Sequence, residues 1–133
     1  GTLDSLPAMG TFDLAIVSFV LHWVDRSRLA LVVSETDRLV AWGGWLVIND
    51  FLPDHATRRT YHHLPDSGVW TYKQDYARAY TGLGLYREVA RVTYAHGRAA
   101  TARETDLALD GVPSSERCGC ILLQKTKEGY ATE

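Results

Sequence analysis

A histidine and its neighbours near the start of the chain have the residue types and spacing of a reactive site. Ser18, Phe19 and His22 follow or end an apolar run at residues 12–19, whose β-branched character predicts a strand buried inside a parallel sheet. Ligands of open α/β sheets bind at the carboxyl ends of such strands. An imidazole titrates near neutral pH, so His22 could accept a proton there. Lying beside Trp23 in an apolar run, His22 could equally be a packing residue.

A polar and aromatic stretch at residues 54–70 could cover the same cleft. It has little periodicity, and Pro65 and Gly68 interrupt it, which is typical of a loop or short helix that acts as a lid. Binding pockets combine aromatic walls with a few polar groups. The side chains that could line an acceptor pocket are Tyr61, His62, His63, Trp70, Tyr72 and Tyr76. Ordinary packing and a solvated loop would explain the same residues.

Two further sets of polar residues have alternative interpretations. Asp50 lies in a second buried apolar run at residues 45–51, and it could face the cleft or cap the next turn. A metal site can be drawn from His55, His62, His63 and Asp66. Adjacent histidines point apart in a helix or a strand, and the sequence has no pattern of supporting ligand partners. We therefore predict no metal site.

The elements that position these residues form a strand–helix–strand unit with a right-handed crossover. Between the two apolar runs, apolar residues recur at helical spacing, Asp25 or Ser27 can cap the helix, and Gly43-Gly44 can end it. Downstream, the patterns predict a helix over 71–81, a strand over 86–96, a flexible connection over 97–117 and a strand over 118–125. Because no helix precedes the last strand, we expect it to pair antiparallel with the strand before it.

Three segments of the sequence fit one pattern in register. Residues 4–7 read DSLP, residues 12–18 read FDLAIVS and residues 38–48 read RLVAWGGWLVI. With the order of the elements, they resemble the second half of a class I methyltransferase that depends on S-adenosylmethionine (SAM). The resemblance is good over residues 3–51 and extends further only through element order. It implies an α/β fold: a partial Rossmann-like sheet of about four strands, the last two antiparallel, with helices on both faces.

The resemblance also implies a function and particular site residues. The chain would be a SAM-dependent methyltransferase with a small-molecule acceptor, with His22 as the catalytic base and with Asp4, Ser18 and Phe19 binding the cofactor. The residues interpreted as substrate-binding are Trp23, Asp50, Tyr61, His62, His63 and Tyr72. The family's glycine-rich cofactor loop and ribose-binding acidic residue are not found in the sequence. We therefore expect residues 1–133 to be a single domain, the C-terminal half of the fold, inactive by itself.

Composition and charge exclude several other classes of protein. Hydrophobic residues make up 46% of the chain and charged residues 23%, as in a globular domain. A net charge of −2 gives no reason to expect a nucleic-acid or membrane partner. The apolar run at residues 14–24 is too short to span a bilayer, and Cys118 and Cys120 lack the second pair of a zinc ribbon. We expect a cytoplasmic protein without a signal peptide.

A half-fold would leave its central strand without a neighbour. The strand at residues 12–19 would then expose an apolar edge with unpaired backbone groups, and such edges associate unless they are covered. We expect a homo-oligomer that buries this edge. An alternative function follows from the same feature: a non-catalytic half-domain that acts as an assembly or regulatory subunit.

Overall fold

A four-stranded mixed sheet organises the described part of the chain, which comprises residues 2–97, 109 and 111–126 of a computed structural model. In chain order, the helices and strands are β1 (Phe12–Ser18), α1 (Arg26–Leu39), β2 (Val40–Phe51), β3 (Thr57–Thr60), β4 (Trp70–Lys73), α2 (Ala77–Thr81), β5 (Tyr86–Ala95) and β6 (Arg117–Lys125). The main sheet has the order β1-β2-β6-β5. β1 and β2 are parallel, whereas β6 is antiparallel to both β2 and β5. The expected four strands, with the last two antiparallel, are therefore confirmed.

The strand–helix–strand unit forms as predicted, but α1 ends earlier than expected. Asp25 is the N-cap of α1, and its carboxylate accepts a hydrogen bond of 2.8 Å from the backbone N–H of Ser27. The helix ends at Leu39, and β2 follows at once. Gly43 has a φ of +76°, but it lies inside β2, where the register with β1 shifts. The prediction that Gly43-Gly44 ends the helix is wrong, because these glycines form an irregularity in the strand.

A lysine, rather than the two glycines, supplies hydrogen-bond donors to the carbonyl groups at the end of α1. The Lys125 ammonium donates hydrogen bonds of 2.7 Å to the Asp37 carbonyl and 3.0 Å to the Val40 carbonyl. It also lies 2.9 Å from the Asp37 carboxylate, and Lys125 is buried. Cations are favoured at the carbonyl end of a helix, where the last carbonyls lack partners within the helix.

The core lies on a single face of the sheet. Leu46 and Ile48 of β2 are buried in one cluster with Val32 and Val33 of α1 and with Tyr80 of α2. Both described helices therefore pack against the same face. This corrects the expectation of helices on both faces, which described a complete sheet rather than this set of elements. The opposite face is left with exposed apolar side chains.

A hairpin replaces part of a predicted helix. β3 and β4 pair antiparallel, and the turn between them includes Gly68 with a φ of +69°. Helix α2 covers only Ala77–Thr81, so the predicted helix over 71–81 is wrong in its first half. Trp, Thr and Tyr favour strands, and Trp70 packs under the Arg58 guanidinium at 4.0 Å. The role of the 54–70 segment as a lid stays a prediction.

Two other features complete the description. Most of the predicted flexible connection at 97–117 lies outside the described residues. Ser114–Glu116 form a short 3₁₀ turn before β6. Among the described residues, no helix is long and apolar enough to cross a membrane.

Candidate functional site

A cavity of about 300 Å³ lies at the carboxyl ends of β1 and β2, under the hairpin. We call it the histidine cavity. It is lined by Phe19, His22, Trp23, Phe51, Tyr61, His62, His63, Thr71, Lys73 and His96. The structure thus brings together six of the residues that the sequence singled out for cofactor, catalytic or substrate roles, with His22 at 5% exposure among them.

A buried carboxylate holds the His22 imidazole. The Oδ1 atom of Asp50 lies 2.9 Å from Nδ1 of His22, and Asp50 is 3% exposed. The backbone N–H of His22 donates to Oδ2 of Asp50 at 3.2 Å, and the N–H of Phe51 donates to Oδ1 at 2.7 Å. An ionised carboxylate can only accept hydrogen bonds, so Nδ1 of His22 carries a proton. The other ring nitrogen, Nε2, makes no hydrogen bond with any described residue and is left as a proton acceptor.

Aromatic rings wall the histidine cavity on two sides. The ring of Phe51 lies 5.0 Å from that of His22 and 5.7 Å from that of Phe19, both in edge-to-face geometry. The Trp23 and Tyr61 rings meet at 4.9 Å, so residues from the start of the chain and from the hairpin share one wall. Edge-to-face pairs of this kind are favourable and fix ring orientation.

Phe19 has a strained backbone at the mouth of the cavity. Its φ of +52° is the only positive value among the described residues other than glycine, and its N–H donates to the Asn49 carbonyl at 2.8 Å. Such a conformation costs on the order of 1–3 kcal/mol in a non-glycine residue and is concentrated at functional sites. The aromatic ring is therefore placed at the end of β1 at an energetic cost.

Three residues predicted to have cofactor or substrate roles lie away from the histidine cavity, and Trp70 and Tyr76, which were predicted to line the acceptor pocket, do not line it either. The Ser18 hydroxyl accepts a hydrogen bond of 3.0 Å from the Asn49 amide. Asp4 is paired with Arg28 of α1 at 2.7 Å, and hydrogen bonds from Thr2 and Arg28 lower the pKa of its carboxyl. Tyr72, the third residue, lines a neighbouring cavity of about 340 Å³.

The placement of Tyr72 follows from the strand that replaced the predicted helix. Successive side chains of a strand point to opposite sides, so Thr71 and Lys73 line the histidine cavity and Tyr72 does not. The Tyr72 hydroxyl instead donates to the Asp25 carboxylate at 2.5 Å. This hydrogen bond, followed by those from Ser27, lowers the pKa of Asp25 to about 2.

The sequence reasoning missed four residues of the site, one of which is Thr71. Phe51, His96 and Lys73 line the cavity, and the Lys73 ammonium lies 3.5 Å from the centre of the Phe51 ring. Burial, followed by the charge of Arg59, lowers the pKa of Lys73. A correct strand assignment at residues 70–73 would have placed Lys73 on the cavity side. Within the described ranges, no three His, Cys, Asp or Glu side chains are arranged to hold a metal ion.

Three of the solved structures that resemble this chain are methyltransferases. One is a SAM-dependent methyltransferase from Methanosarcina mazei, with a TM-score of 0.68, 12% identity and coverage of 96% of this chain and 66% of that one. A second is the N-methyltransferase NodS from Bradyrhizobium japonicum in complex with S-adenosylhomocysteine, with a TM-score of 0.58, 16% identity and coverage of 96% and 53%. A third, from Burkholderia thailandensis, is 1,6-didemethyltoxoflavin-N1-methyltransferase with bound 1,6-didemethyltoxoflavin and S-adenosylhomocysteine; its TM-score is 0.65, its identity 12% and the coverage 94% and 48%.

These similarities show the fold. The described residues form an α/β structure that resembles the Rossmann-like fold of SAM-dependent methyltransferases. The chain spans about half to two thirds of the length of these three relatives. No family model matches the sequence, and no curated protein is significantly similar to it.

Proposed function

We propose that this chain is the substrate-side, C-terminal half of a SAM-dependent methyltransferase that acts on a small molecule. The observation that carries the proposal is the buried His22–Asp50 pair. It lies in an aromatic cavity at the carboxyl ends of two parallel strands, where ligands bind in open α/β sheets. The fold of the solved relatives, some of them crystallised with S-adenosylhomocysteine, supports the choice of cofactor.

The described residues fit only one end of the proposed cofactor. SAM, when bound, supplies a methyl group on a sulfonium cation. Phe19 lines the cavity, and the face of an aromatic ring attracts cations. Asp4 and Ser18, the other residues predicted to bind the cofactor, are engaged with Arg28 and Asn49 outside the cavity. We infer that the remaining contacts belong to another half of the fold.

The proposed mechanism assigns proton removal to His22. Nε2 of His22 takes the proton of the acceptor's hydroxyl or amine, and Asp50 stabilises the imidazolium that forms. Trp23 and Tyr61 stack against the acceptor and exclude water from one side. Because methyl transfer is an in-line displacement, most of the rate acceleration would come from positioning the acceptor.

A titration with S-adenosylhomocysteine tests the proposal. The chain as given should not bind it measurably, whereas a protein that also contains the preceding half of the fold should. That longer protein should transfer a methyl group to an acceptor, and His22→Ala should reduce kcat without loss of S-adenosylhomocysteine binding. A longer protein that does not bind S-adenosylhomocysteine would contradict the proposal.

A second candidate function, a subunit that acts through assembly, is supported by β1. This strand is at the edge of the sheet, and Phe12, Leu14 and Ile16 are 47%, 52% and 64% exposed. The three side chains alternate along the strand, so they form one apolar row beside an unpaired backbone edge. We propose that a second copy of the chain covers this edge when no other half of the fold is present.

A further inference from the structure

Two cations of the hairpin lie on the same side of the candidate site. Arg59 of β3 and Lys73 of β4 both line a cavity of about 470 Å³ that adjoins the histidine cavity. The two cavities share Phe51, His62, His63, Thr71, Lys73 and His96. Arg59 is paired with Thr71 across the hairpin, two residues from Lys73, so the two cationic side chains share one face of the ribbon.

Neither cation forms a direct ion pair with a carboxylate among the described residues, although the charges of Glu116 and Asp50 act on Lys73. Arg59 donates to the Ser115 hydroxyl at 3.0 Å, and the Lys73 ammonium donates to the Ser115 carbonyl at 2.8 Å. Within the described residues, no carboxylate lies in ion-pair range of either side chain. Glu116 is the one carboxylate among the residues that line the adjoining cavity, where Arg59 and Lys73 supply two positive charges. By contrast, Lys125 is buried with the Asp37 carboxylate 2.9 Å away.

This arrangement leaves N–H donors of both Lys73 and Arg59 available to a ligand. An ammonium has three donors, and an Arg guanidinium has five. Lys73 uses one donor on Ser115 and lies over the Phe51 ring, in a partly buried position where an unpaired charge is costly. A bound anion would offset that cost, because charge-assisted hydrogen bonds are about twice as strong as neutral ones.

The position of the cations relative to His22 defines what such a ligand would look like. Lys73 and His22 both lie beside the Phe51 ring, whose centre is 3.5 Å from the Lys73 ammonium and 5.0 Å from the His22 ring centre. A ligand that touches both Nε2 of His22 and the Lys73 ammonium would therefore lie next to the Phe51 ring. A flat molecule would meet the Phe51, Trp23 and Tyr61 rings on the way.

We propose that the acceptor is a small aromatic carboxylate whose carboxylate binds Lys73 and Arg59 while its methyl-accepting group lies at His22. The inference rests on the proposed function for the role of His22, but the anion site itself can be tested without methyl transfer. Lys73 and Arg59 then determine substrate specificity, and they take no part in the chemical step.

The test compares an acid with its neutral isostere. The chain is titrated with 4-hydroxybenzoate and with 4-hydroxybenzamide, and binding is followed by ¹H–¹⁵N NMR at low salt. We expect the acid to bind about tenfold or more tightly than the amide. Lys73→Met should abolish this preference and leave the affinity for the amide within about twofold, since only the charge contact is lost.

Two further variants keep the test decisive. Arg59→Met changes an exposed side chain, so it should fold normally and weaken the preference even where Lys73→Met proves unstable. The matched control is Arg87→Met, which removes a cation that binds Gln124 outside both cavities and should change nothing. Equal binding of acid and amide by the unaltered chain would overturn the inference, as would a preference that survives in both cavity variants.

The outcomes also separate this inference from the proposed function. The preference for the carboxylate could depend on Lys73 while the longer form of the protein shows no methyl transfer. This result would support the anion site and contradict the proposed methyltransferase function. Methyl transfer by the longer form to the acid and the amide alike would refute the anion site alone.

Discussion

At the scale of single residues, the His22–Asp50 pair makes the sharpest prediction. Asp50→Asn keeps the shape of the side chain but removes the charge that fixes the proton on Nδ1 of His22. In a longer protein with the proposed methyltransferase activity, we expect kcat to fall by roughly 10²–10⁴, with KM little changed, because proton removal contributes about that much. In this chain, ¹⁵N NMR should show loss of the Nδ1–H tautomer.

The control for this prediction is Asp54→Asn, which changes an exposed carboxylate paired with Arg117. It should leave kcat and the His22 tautomer unchanged. A variant at Asp50 with full activity and an altered tautomer would show that His22 packs in the site without acting as a base.

A second residue-scale prediction concerns Asp25. Its pKa in the folded chain is lowered to about 2 by hydrogen bonds from Tyr72 and Ser27, against an ordinary value of 3.8. A depressed pKa means that the carboxylate stabilises the fold at pH values above about 4 and that this contribution is lost as the pH falls toward 2. Tyr72→Phe removes the largest cause, so the Asp25 pKa should rise toward its ordinary value when followed by ¹³C NMR. An unchanged pKa would contradict the Tyr72–Asp25 hydrogen bond.

At the scale of elements, Lys125 joins the end of β6 to the end of α1. Lys125→Met would leave the Asp37 and Val40 carbonyls and the Asp37 carboxylate without their cation. We expect the free energy of unfolding to fall by about 3 kcal/mol in a urea titration, since breaking one side of a buried pair is strongly destabilising. Arg38→Met removes an exposed ion pair with Glu35 on the same helix and should cost under about 1 kcal/mol.

The elements also show what the sequence could predict. β1 and β2 could be predicted because short, β-branched apolar runs are typical of strands, although β1 lies exposed at the edge of the sheet. The N-cap of α1 could be predicted because Asp25 directly precedes a segment with apolar residues at helical spacing. The hairpin was not predicted, because Trp70–Lys73 is short enough to fit the apolar spacing of either a helix or a strand. Its partner strand also lies 10 residues or more away along the chain. The end of α1 depends on Lys125, a contact that no local pattern contains.

The candidate site likewise contains residues that the sequence could predict and residues that it could not. His22 could be predicted because it follows an apolar run that forms a strand and belongs to a recognisable motif. Its partnership with Asp50 could not, because the two residues are 28 positions apart and meet only through the pairing of β1 with β2. Lys73 could not be predicted as a site residue, because its segment was predicted to be a helix. Its side chain reaches the cavity only because successive side chains of a strand point to opposite sides.

At the scale of the whole molecule, the edge strand β1 makes a prediction about assembly. Ile16 is the most exposed of its apolar row, so Ile16→Lys should disfavour any interface that covers the edge. We expect light scattering to show a dimer or larger species for the unaltered chain and a shift toward the monomer for Ile16→Lys. Leu83→Lys, at an exposed apolar residue after α2, is the matched control and should leave the mass unchanged. A monomeric unaltered chain at working concentration would contradict the assembly proposal.

The bare face of the sheet has a consequence for the life of the chain in a cell. A row of exposed apolar strand residues is the kind of surface that chaperones hold and that quality-control proteases degrade. Whatever covers the row would therefore protect the chain from turnover. We expect a chain whose apolar row is covered to persist longer in a cell than one whose row is bare.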